Sequence, residues 1–185
     1  MFTWPIAITS QHDTRDFDCG NTALNEYLKK YALANSAAGL AKTFVVGLEK
    51  QPAIVVGYYS IAAGSVEKQH ASPRASKGTP NYAIPVVLLG RFAVDVKYQG
   101  NGLGRDTLYR ALRQITDASE ILGIRAVLVH AKNEKAANFY KRHGFEATPI
   151  DLQLMLLLKD MRKMLAASTA AASAQSATEE TDFPP

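Results

Sequence analysis

The chain has 185 residues, of which 47% are hydrophobic, and it carries a formal net charge of +4. This length and composition predict one domain with a sizeable core, and the single cysteine, Cys19, excludes an internal disulfide. The four histidines have no carboxylate or cysteine at ligand spacing, and no apolar run is long enough to cross a bilayer, so we expect a cytoplasmic protein that holds no metal.

The first third of the chain predicts a helix followed by a hairpin. A short strand is expected at Trp4–Ile8, and Asn21 is placed to cap a helix that Gly39 ends. The strands Lys42–Leu48 and Ala53–Ala63 follow, joined by a short turn. The helix has an apolar stripe that we expect to face the core, formed by Leu24, Tyr27, Leu28 and Tyr31.

A long polar loop is predicted after the hairpin, over Glu67–Ala83. It contains two prolines, a glycine and three basic residues, among them Lys77. Two interpretations stay open for this segment, a cover over a substrate-binding mouth and an ordinary flexible connector.

A strand, a glycine-rich bend and a helix come next. Val86–Val94 has the composition of a half-buried strand, and Gln99–Gly104 then contains three glycines. Glycines let consecutive backbone N–H groups converge on an anion, and the helix N-terminus directs its positive end to the same place. The apolar stripe of this helix runs until Gly123 and comprises Leu108, Ala111, Leu112, Ile115, Ala118, Ser119 and Leu122.

Two common phosphate motifs do not fit this bend. A Walker loop needs Lys-Ser or Lys-Thr after its last glycine, where Arg105-Asp106 stands in this chain. A dinucleotide fingerprint needs glycine at its sixth position, and the six residues from Gly100 end in Arg105. A tight turn that binds no nucleotide remains the alternative at this point.

A second block of strand, helix and strand lies downstream. Ile124–Ala131 is predicted to be a buried strand, and Asn133 is placed to cap a short helix that Gly144 ends. Phe145 starts a further strand, and Leu152–Leu158 is expected to be a core strand that ends at residues 159–160.

Alanine, serine and threonine dominate the sequence from Ala166 onward. This composition predicts a disordered tail over residues 166–185, which follows a domain of residues 1–165.

The bend and the second block together resemble the GNAT acetyltransferase superfamily. Its acetyl-coenzyme A motif, Gln/Arg-x-x-Gly-x-Gly/Ala, is matched by Gln99, Gly102 and Gly104. In the second half of that family an asparagine, a tyrosine and a terminal Gly-Phe follow the cofactor helix, and Asn133, Tyr140 and residues 144–145 are similar in order and spacing.

The resemblance extends from Phe17 to Asp160 and narrows to the GNAT-type toxins of bacterial toxin–antitoxin pairs. The similar segments are Phe17–Asn21, Leu24–Leu28, Thr43–Val46, Val56–Ser60, Gly64–Val66 and Ile84–Arg91. It implies acetyl transfer from acetyl-coenzyme A to the α-amine of an amino acid esterified to tRNA, which inhibits translation. It also implies a ribbon-helix-helix antitoxin that binds DNA, and a homodimer.

The fold implied by the resemblance is a mixed α/β (α+β) fold. Its mostly antiparallel central sheet is splayed between the fourth and fifth strands, Val86–Val94 and Arg125–Ala131, and is flanked by helices.

The resemblance also implies roles for individual residues. Tyr140 would be the catalytic acid that hydrogen-bonds the leaving thiolate, although a helix tyrosine can equally be a packing residue. Arg91 would contact the acceptor, with an arginine paired to a carboxylate as the alternative, and Lys29 and Lys77 are further acceptor-side candidates. The expected cofactor-binding residues are Phe92, Ala93, Val94, Gln99, Gly100, Asn101, Gly102, Leu103, Gly104, Arg105, Asn133 and Phe139.

The charge is unevenly distributed along the chain. The last twenty residues contain three acidic side chains and no basic one, so residues 1–165 have a net charge of +7. This excess suits a polyanionic partner such as RNA, and it equally suits a solvated basic surface. Two other functions therefore remain open, acetylation of a small amine or a protein N-terminus, and a non-catalytic acyl-coenzyme A sensor or RNA-binding module.

Overall fold

One seven-stranded sheet organises residues 1–167, which are the residues that the computed structural model describes. Its strands are β1 (Ile6–Ala7), β2 (Lys42–Leu48), β3 (Gln51–Val66), β4 (Ile84–Val94), β5 (Ala126–His130), β6 (Glu146–Ala147) and β7 (Gln153–Leu157). They lie in the order β1-β2-β3-β4-β5-β7-β6. The helices are α1 (Thr22–Glu26), α2 (Ala32–Ala37), α3 (Pro73–Ser76), α4 (Leu103–Ala118), α5 (Glu134–Arg142) and α6, which begins at residue 158 and includes residue 167.

The sheet is antiparallel except where β4 meets β5. These two strands pair in parallel over three residues only, Val86–Leu88 with Ala126–Leu128. A bulge lies just beyond, since Ile61 of β3 pairs with Leu89 whereas the preceding Ser60 pairs with Arg91. The extra residue, Gly90, bends β4 away from its parallel neighbour. The predicted mixed α/β sheet, splayed between the fourth and fifth strands, is confirmed.

The two faces of the sheet are covered differently. On the face that α4 and α5 cover, here called the α4 face, the main core includes Leu108, Leu112, Val127 and Val129. A smaller separate cluster lies at the start of α4 and comprises Val46, Val56, Val94 and Leu103. The opposite face, here called the α1 face, has two separate cores. One lies under α1 and α2 and includes Tyr58, and the other lies beside α3 and comprises Val66, Ala71, Ala75, Ile84, Val86, Ala126, Leu128, Met155 and Leu157.

The hairpin and the helix caps agree with the sequence-based prediction. The strand Lys42–Leu48 is observed with the predicted bounds, and its partner is longer than predicted. Asn21 and Asn133 each accept a hydrogen bond from a backbone N–H in the first turn of the following helix, at 3.0 and 2.9 Å. The first strand is shorter than predicted, because only residues 6 and 7 pair with β2.

Both predicted apolar stripes are partly wrong. The chain forms a π turn at Tyr27–Tyr31 between α1 and α2, and this change of helical phase leaves Tyr31 54% exposed. Helix α4 ends at Ala118, ahead of Gly123, so Leu122 lies beyond the helix and is 58% exposed. Periodicity alone does not show where the helical phase changes or stops.

The predicted polar loop at residues 67–83 is packed against the sheet. It contains a 3-10 turn and α3, and Ala71 and Ala75 are buried in the core beside Ile84. Arg74 forms ion pairs with Glu146 and with Asp160. The segment lies beside the first residues of β4, whereas the glycine-rich bend follows the last residues of that strand. The structure therefore contradicts the interpretation as a flexible connector and places the segment away from the glycine-rich bend. A cover over a substrate-binding mouth stays a prediction.

The C-terminal region also differs from the prediction. Strand β7 ends at Leu157, and the chain turns into α6 with the Leu158 N–H donating to the Arg125 carbonyl at 3.1 Å. Residues 166 and 167 still belong to this helix, and the rest of the predicted tail lies outside the described residues. Within residues 1–167 the structure contains no helix with the length and apolar character needed to span a membrane.

The different surroundings of two leucines give a stability test. Leu112 is fully buried in the α4-face core, so Leu112→Ala should lower the free energy of unfolding by about 2 to 5 kcal/mol. The matched control Leu122→Ala removes the same atoms from an exposed site and should change it by less than about 0.5 kcal/mol. Denaturant unfolding of both variants measures the difference, and equal losses would contradict the observed end of α4.

Candidate active site

The glycine-rich bend turns the chain from the end of β4 into α4. Gly100 and Gly102 both have φ of 82°, and Gly102 is the N-cap residue of α4. A Cβ atom at either position would meet nothing within 4 Å, so the backbone conformation, and not crowding, requires glycine here. The first N–H groups of α4, from Leu103 onward, have no partner inside the helix, and together with the helix dipole they form an anion-binding end.

Side chains hold this bend against the segment that precedes α1. The Gln99 amide donates to the carbonyls of Val94, at 2.8 Å, and of Cys19, at 3.3 Å. The Asp95 carboxylate, which is buried, accepts from the backbone N–H of Asp18 at 3.0 Å and of Lys97 at 2.9 Å. The Gln99 side chain therefore braces the bend from within the protein. A direct contact between Gln99 and the cofactor stays a prediction.

The opening between β4 and β5 begins beyond Leu88 and runs toward the bend. Phe92–Val94 pairs with β3 on one side, and β5 has ended its pairing with β4 before this point. Backbone groups on the free edge of this segment are available to a ligand, except the Val94 carbonyl, which Gln99 occupies. Asn133 lies at the start of α5, where its side-chain oxygen is used by the helix cap and its amide N–H₂ is left to donate.

Tyr140 lies on α5 within an aromatic cluster on the α4 face. Its ring centroid is 6.4 Å from that of Phe92, 5.3 Å from Phe139 and 5.2 Å from Phe145. Burial raises the pKa of the phenol, so the hydroxyl stays protonated at neutral pH.

Helices α4 and α5 approach closely at the bend. A Cβ on Gly104 would lie 3.9 Å from the ring of Phe139, which itself lies 5.9 Å from Phe92 between centroids. The structure thus brings together four of the predicted site residues, Phe92, Gly104, Phe139 and Tyr140, around one end of the opening.

The basic candidates are separated by the structure. The Arg91 guanidinium lies 3.9 Å from the ring centroid of Tyr27, a cation–π contact in place of the alternative ion pair. Lys29 lies in the same π turn as Tyr27, and π turns occur often at functional sites. Lys77 lies apart, because its carbonyl accepts from Arg125 beside the first residues of β4. Sequence reasoning assigned Tyr27 to the core stripe and missed its contact with Arg91, which no local pattern indicates.

A metal site is not found in the described part of the chain, since no group of three or more His, Cys, Asp or Glu residues there is placed to hold an ion.

Comparisons with known proteins point to one family. A family model described as an acetyltransferase (GNAT) domain matches residues 41–147. A tRNA-acetylating toxin of Mycobacterium tuberculosis is 40% identical over 165 residues, which are 89% of this chain and 97% of that protein.

Solved structures agree in fold. AtaT complexed with acetyl-methionyl-tRNAfMet has a TM-score of 0.81 and 28% identity, covering 89% of this chain and 99% of that one. An AtaT mutant toxin bound to the C-terminus of the antitoxin AtaR and acetyl-CoA has a TM-score of 0.74 and 28% identity, covering 90% and 99%.

The conformation of the bend can be tested through its glycines. Gly102→Ala should lower the free energy of unfolding by about 1 to 2 kcal/mol, because an L side chain disfavours the left-handed conformation that Gly102 adopts. The control Gly123→Ala introduces a methyl group into open space without a positive φ and should leave stability unchanged or slightly higher. Thermal or denaturant unfolding measures both, and equal effects would contradict the left-handed cap.

Proposed function

The chain belongs to the GNAT acetyltransferase family, and from this premise we propose that it transfers the acetyl group of acetyl-coenzyme A to the α-amine of aminoacyl-tRNA, acting as a toxin that inhibits translation. The observation that carries the proposal is the opening between β4 and β5, which connects an anion-binding bend to the buried phenol of Tyr140. The similarity of most of the chain to a tRNA-acetylating toxin supports the choice of acceptor.

Acetyl-coenzyme A fits this opening from the bend inward. Its pyrophosphate would bind the backbone N–H groups of residues 100–105, where the helix dipole favours negative charge. The pantetheine arm would lie along the free edge of Phe92–Val94, with the amide N–H₂ of Asn133 as a further donor. The thioester then reaches the aromatic cluster that contains Phe139 and Tyr140.

The reaction needs a neutral amine, a polarised carbonyl and a hydrogen-bond donor for the departing sulfur. An α-amino group has a pKa of about 7.7 to 8.0, and its ester lowers this value, so much of it is neutral without a strong base. The amine nitrogen bonds to the thioester carbon, the carbon–sulfur bond breaks, and a backbone N–H near Phe92 or Val94 would stabilise the carbonyl oxygen.

Tyr140 would act on the leaving group. The coenzyme A thiolate resembles a cysteine thiolate, whose pKa is about 8.5, and a protonated phenol can donate to it. Because burial raises the pKa of Tyr140, the phenol holds its proton until sulfur begins to carry negative charge. The proton released by the acceptor amine completes the balance, leaving a neutral thiol, a neutral amide and an intact phenol.

The acceptor would approach from the α1 face, where Arg91 contacts Tyr27 and Lys29 lies in the same π turn as Tyr27. These two basic side chains would meet RNA phosphates. Lys77 lies at the opposite end of β4 from the opening. This strand is roughly 35 Å long at about 3.3 Å per residue, so an acceptor bound at the opening would reach Lys77 only if it were a macromolecule.

The proposed partners follow from the same family. An antitoxin would restrain the protein, and the family resemblance favours a ribbon-helix-helix antitoxin that binds DNA. We further propose a homodimer that works in the cytoplasm, where charged tRNA is found.

The proposed activity predicts a specific product. Incubation with labelled acetyl-coenzyme A and bulk charged tRNA should yield N-acetylated aminoacyl-tRNA, with no label on deacylated tRNA or free amino acids. Mass spectrometry of the aminoacyl moiety identifies the modified residue. Label on a small amine or a peptide N-terminus, with charged tRNA unmodified, would overturn the proposal in favour of a different acceptor.

Loss of one oxygen atom tests the role of Tyr140. Tyr140→Phe should lower kcat by about 10²- to 10⁴-fold, the usual contribution of a proton-transferring group, while the Kd for acetyl-coenzyme A stays unchanged. Tyr82→Phe is the matched control, because Tyr82 is 64% exposed and lies just before the first residue of β4, at the end of that strand remote from the bend. If growth inhibition and acetyl transfer persist in Tyr140→Phe, the phenol has no catalytic role and a non-catalytic sensor becomes the better hypothesis.

A further inference from the structure

His130 ends β5 at the point where this strand has separated from β4. The parallel register that pairs Leu88 with Leu128 would place His130 opposite Gly90, the bulge residue, if the pairing continued. Two residues earlier, Leu128 belongs to the core on the α1 face, and side chains alternate along a strand. His130 therefore lies on the α1 face of the opening, whereas Tyr140 belongs to the core of the other face.

A chain of hydrogen bonds ends on the His130 ring. The Ile150 N–H donates to the Thr148 hydroxyl at 3.2 Å, and the Thr148 hydroxyl donates to Oε1 of Gln153 at 2.8 Å. Nε2 of Gln153 then lies 3.0 Å from Nε2 of His130. The Thr148 hydroxyl also lies 3.4 Å from the Ile150 carbonyl, but the 2.8 Å contact with Oε1 of Gln153 takes its proton. The N–H₂ group of Gln153, which can only donate, then donates to Nε2 of His130.

The direction of these hydrogen bonds fixes the tautomer of the His130 ring. A neutral imidazole that accepts at Nε2 carries its proton on Nδ1. Gln153 itself is held rigidly, since it is buried, pairs directly with His130 in the sheet, and its carbonyl accepts from the Thr148 N–H at 3.1 Å. The exposed ring of His130 thus presents one defined donor, Nδ1–H, beside the opening.

We propose that His130 binds the acceptor, with Nδ1–H donating to the ester carbonyl oxygen of the aminoacyl group, and that Gln153 and Thr148 are its positioning residues. The inference rests on the proposed function and adds a residue to its acceptor side. An N–H donor selects a carbonyl oxygen and disfavours an ammonium group at the same place. Arg91 on β4 and His130 on β5 would then hold the acceptor from the two sides of the opening.

Two isosteric substitutions separate this role from a structural one. The amide N–H₂ of His130→Asn lies near the former Nδ1 and keeps a donor there. The amide of His130→Gln instead places its oxygen near the former Nε2, where it accepts from Gln153, and leaves no donor at Nδ1. With saturating acetyl-coenzyme A, His130→Gln should lower kcat/KM for charged tRNA about tenfold, the effect of one lost hydrogen bond, and His130→Asn should stay within about threefold of wild type. Calorimetry should give both variants the wild-type Kd for acetyl-coenzyme A.

A third variant leaves His130 in place and changes which ring nitrogen carries the proton. The carboxylate of Gln153→Glu can only accept, so it should move the ring proton from Nδ1 to Nε2 and lower kcat/KM about tenfold. Nitrogen-15 shifts of the ring report the tautomer directly. Wild-type kcat/KM in both His130→Gln and Gln153→Glu, or equal losses in His130→Asn and His130→Gln, would overturn the role of His130. Failure of the wild-type protein to acetylate charged tRNA would instead overturn the proposed function.

Discussion

The early end of the β4–β5 pairing is the constraint on which the site depends. Three residue pairs join these strands, and the bulge at Gly90 then directs β4 away from β5. Had the parallel ladder continued, the backbone groups of Phe92–Val94 would be satisfied by β5 and closed to a ligand. The interrupted ladder instead leaves a slot between β4 and β5 that ends at the glycine-rich bend.

The two faces of this slot have different chemistry. The α4 face supplies a phenol enclosed by aromatic rings, where a developing thiolate would meet a donor in an apolar setting. The α1 face supplies exposed groups, the guanidinium of Arg91 and the ring of His130, which suit a large polar acceptor. The hydrogen bonds of Gln99 with Cys19 and of Asp95 with Asp18 connect the bend to the segment before α1. The bend and the helices of the α1 face are therefore held to each other by the same two side chains.

Features encoded by neighbouring residues were predicted well, and features that depend on distant contacts were not. The caps at Asn21 and Asn133, the hairpin and the glycine-rich bend each need only a short stretch of sequence. By contrast, Gln99 bonds to a carbonyl 80 residues away, and Gln153 bonds to His130 across 23 residues. Such partners leave no periodic pattern, which explains why the contacts of Tyr27, His130 and the segment after β3 became apparent only in the three-dimensional structure.

The departure of α6 has a practical consequence. Leu158 leaves the sheet beside Arg125, which is next to the first residues of β4, so this helix begins at the end of the sheet remote from the slot. A surface tether attached at an exposed residue near the start of this helix, such as Lys159, would therefore hold the protein at the end of the sheet remote from the slot. Immobilisation through that point suits flow-based measurements with a ligand as large as tRNA.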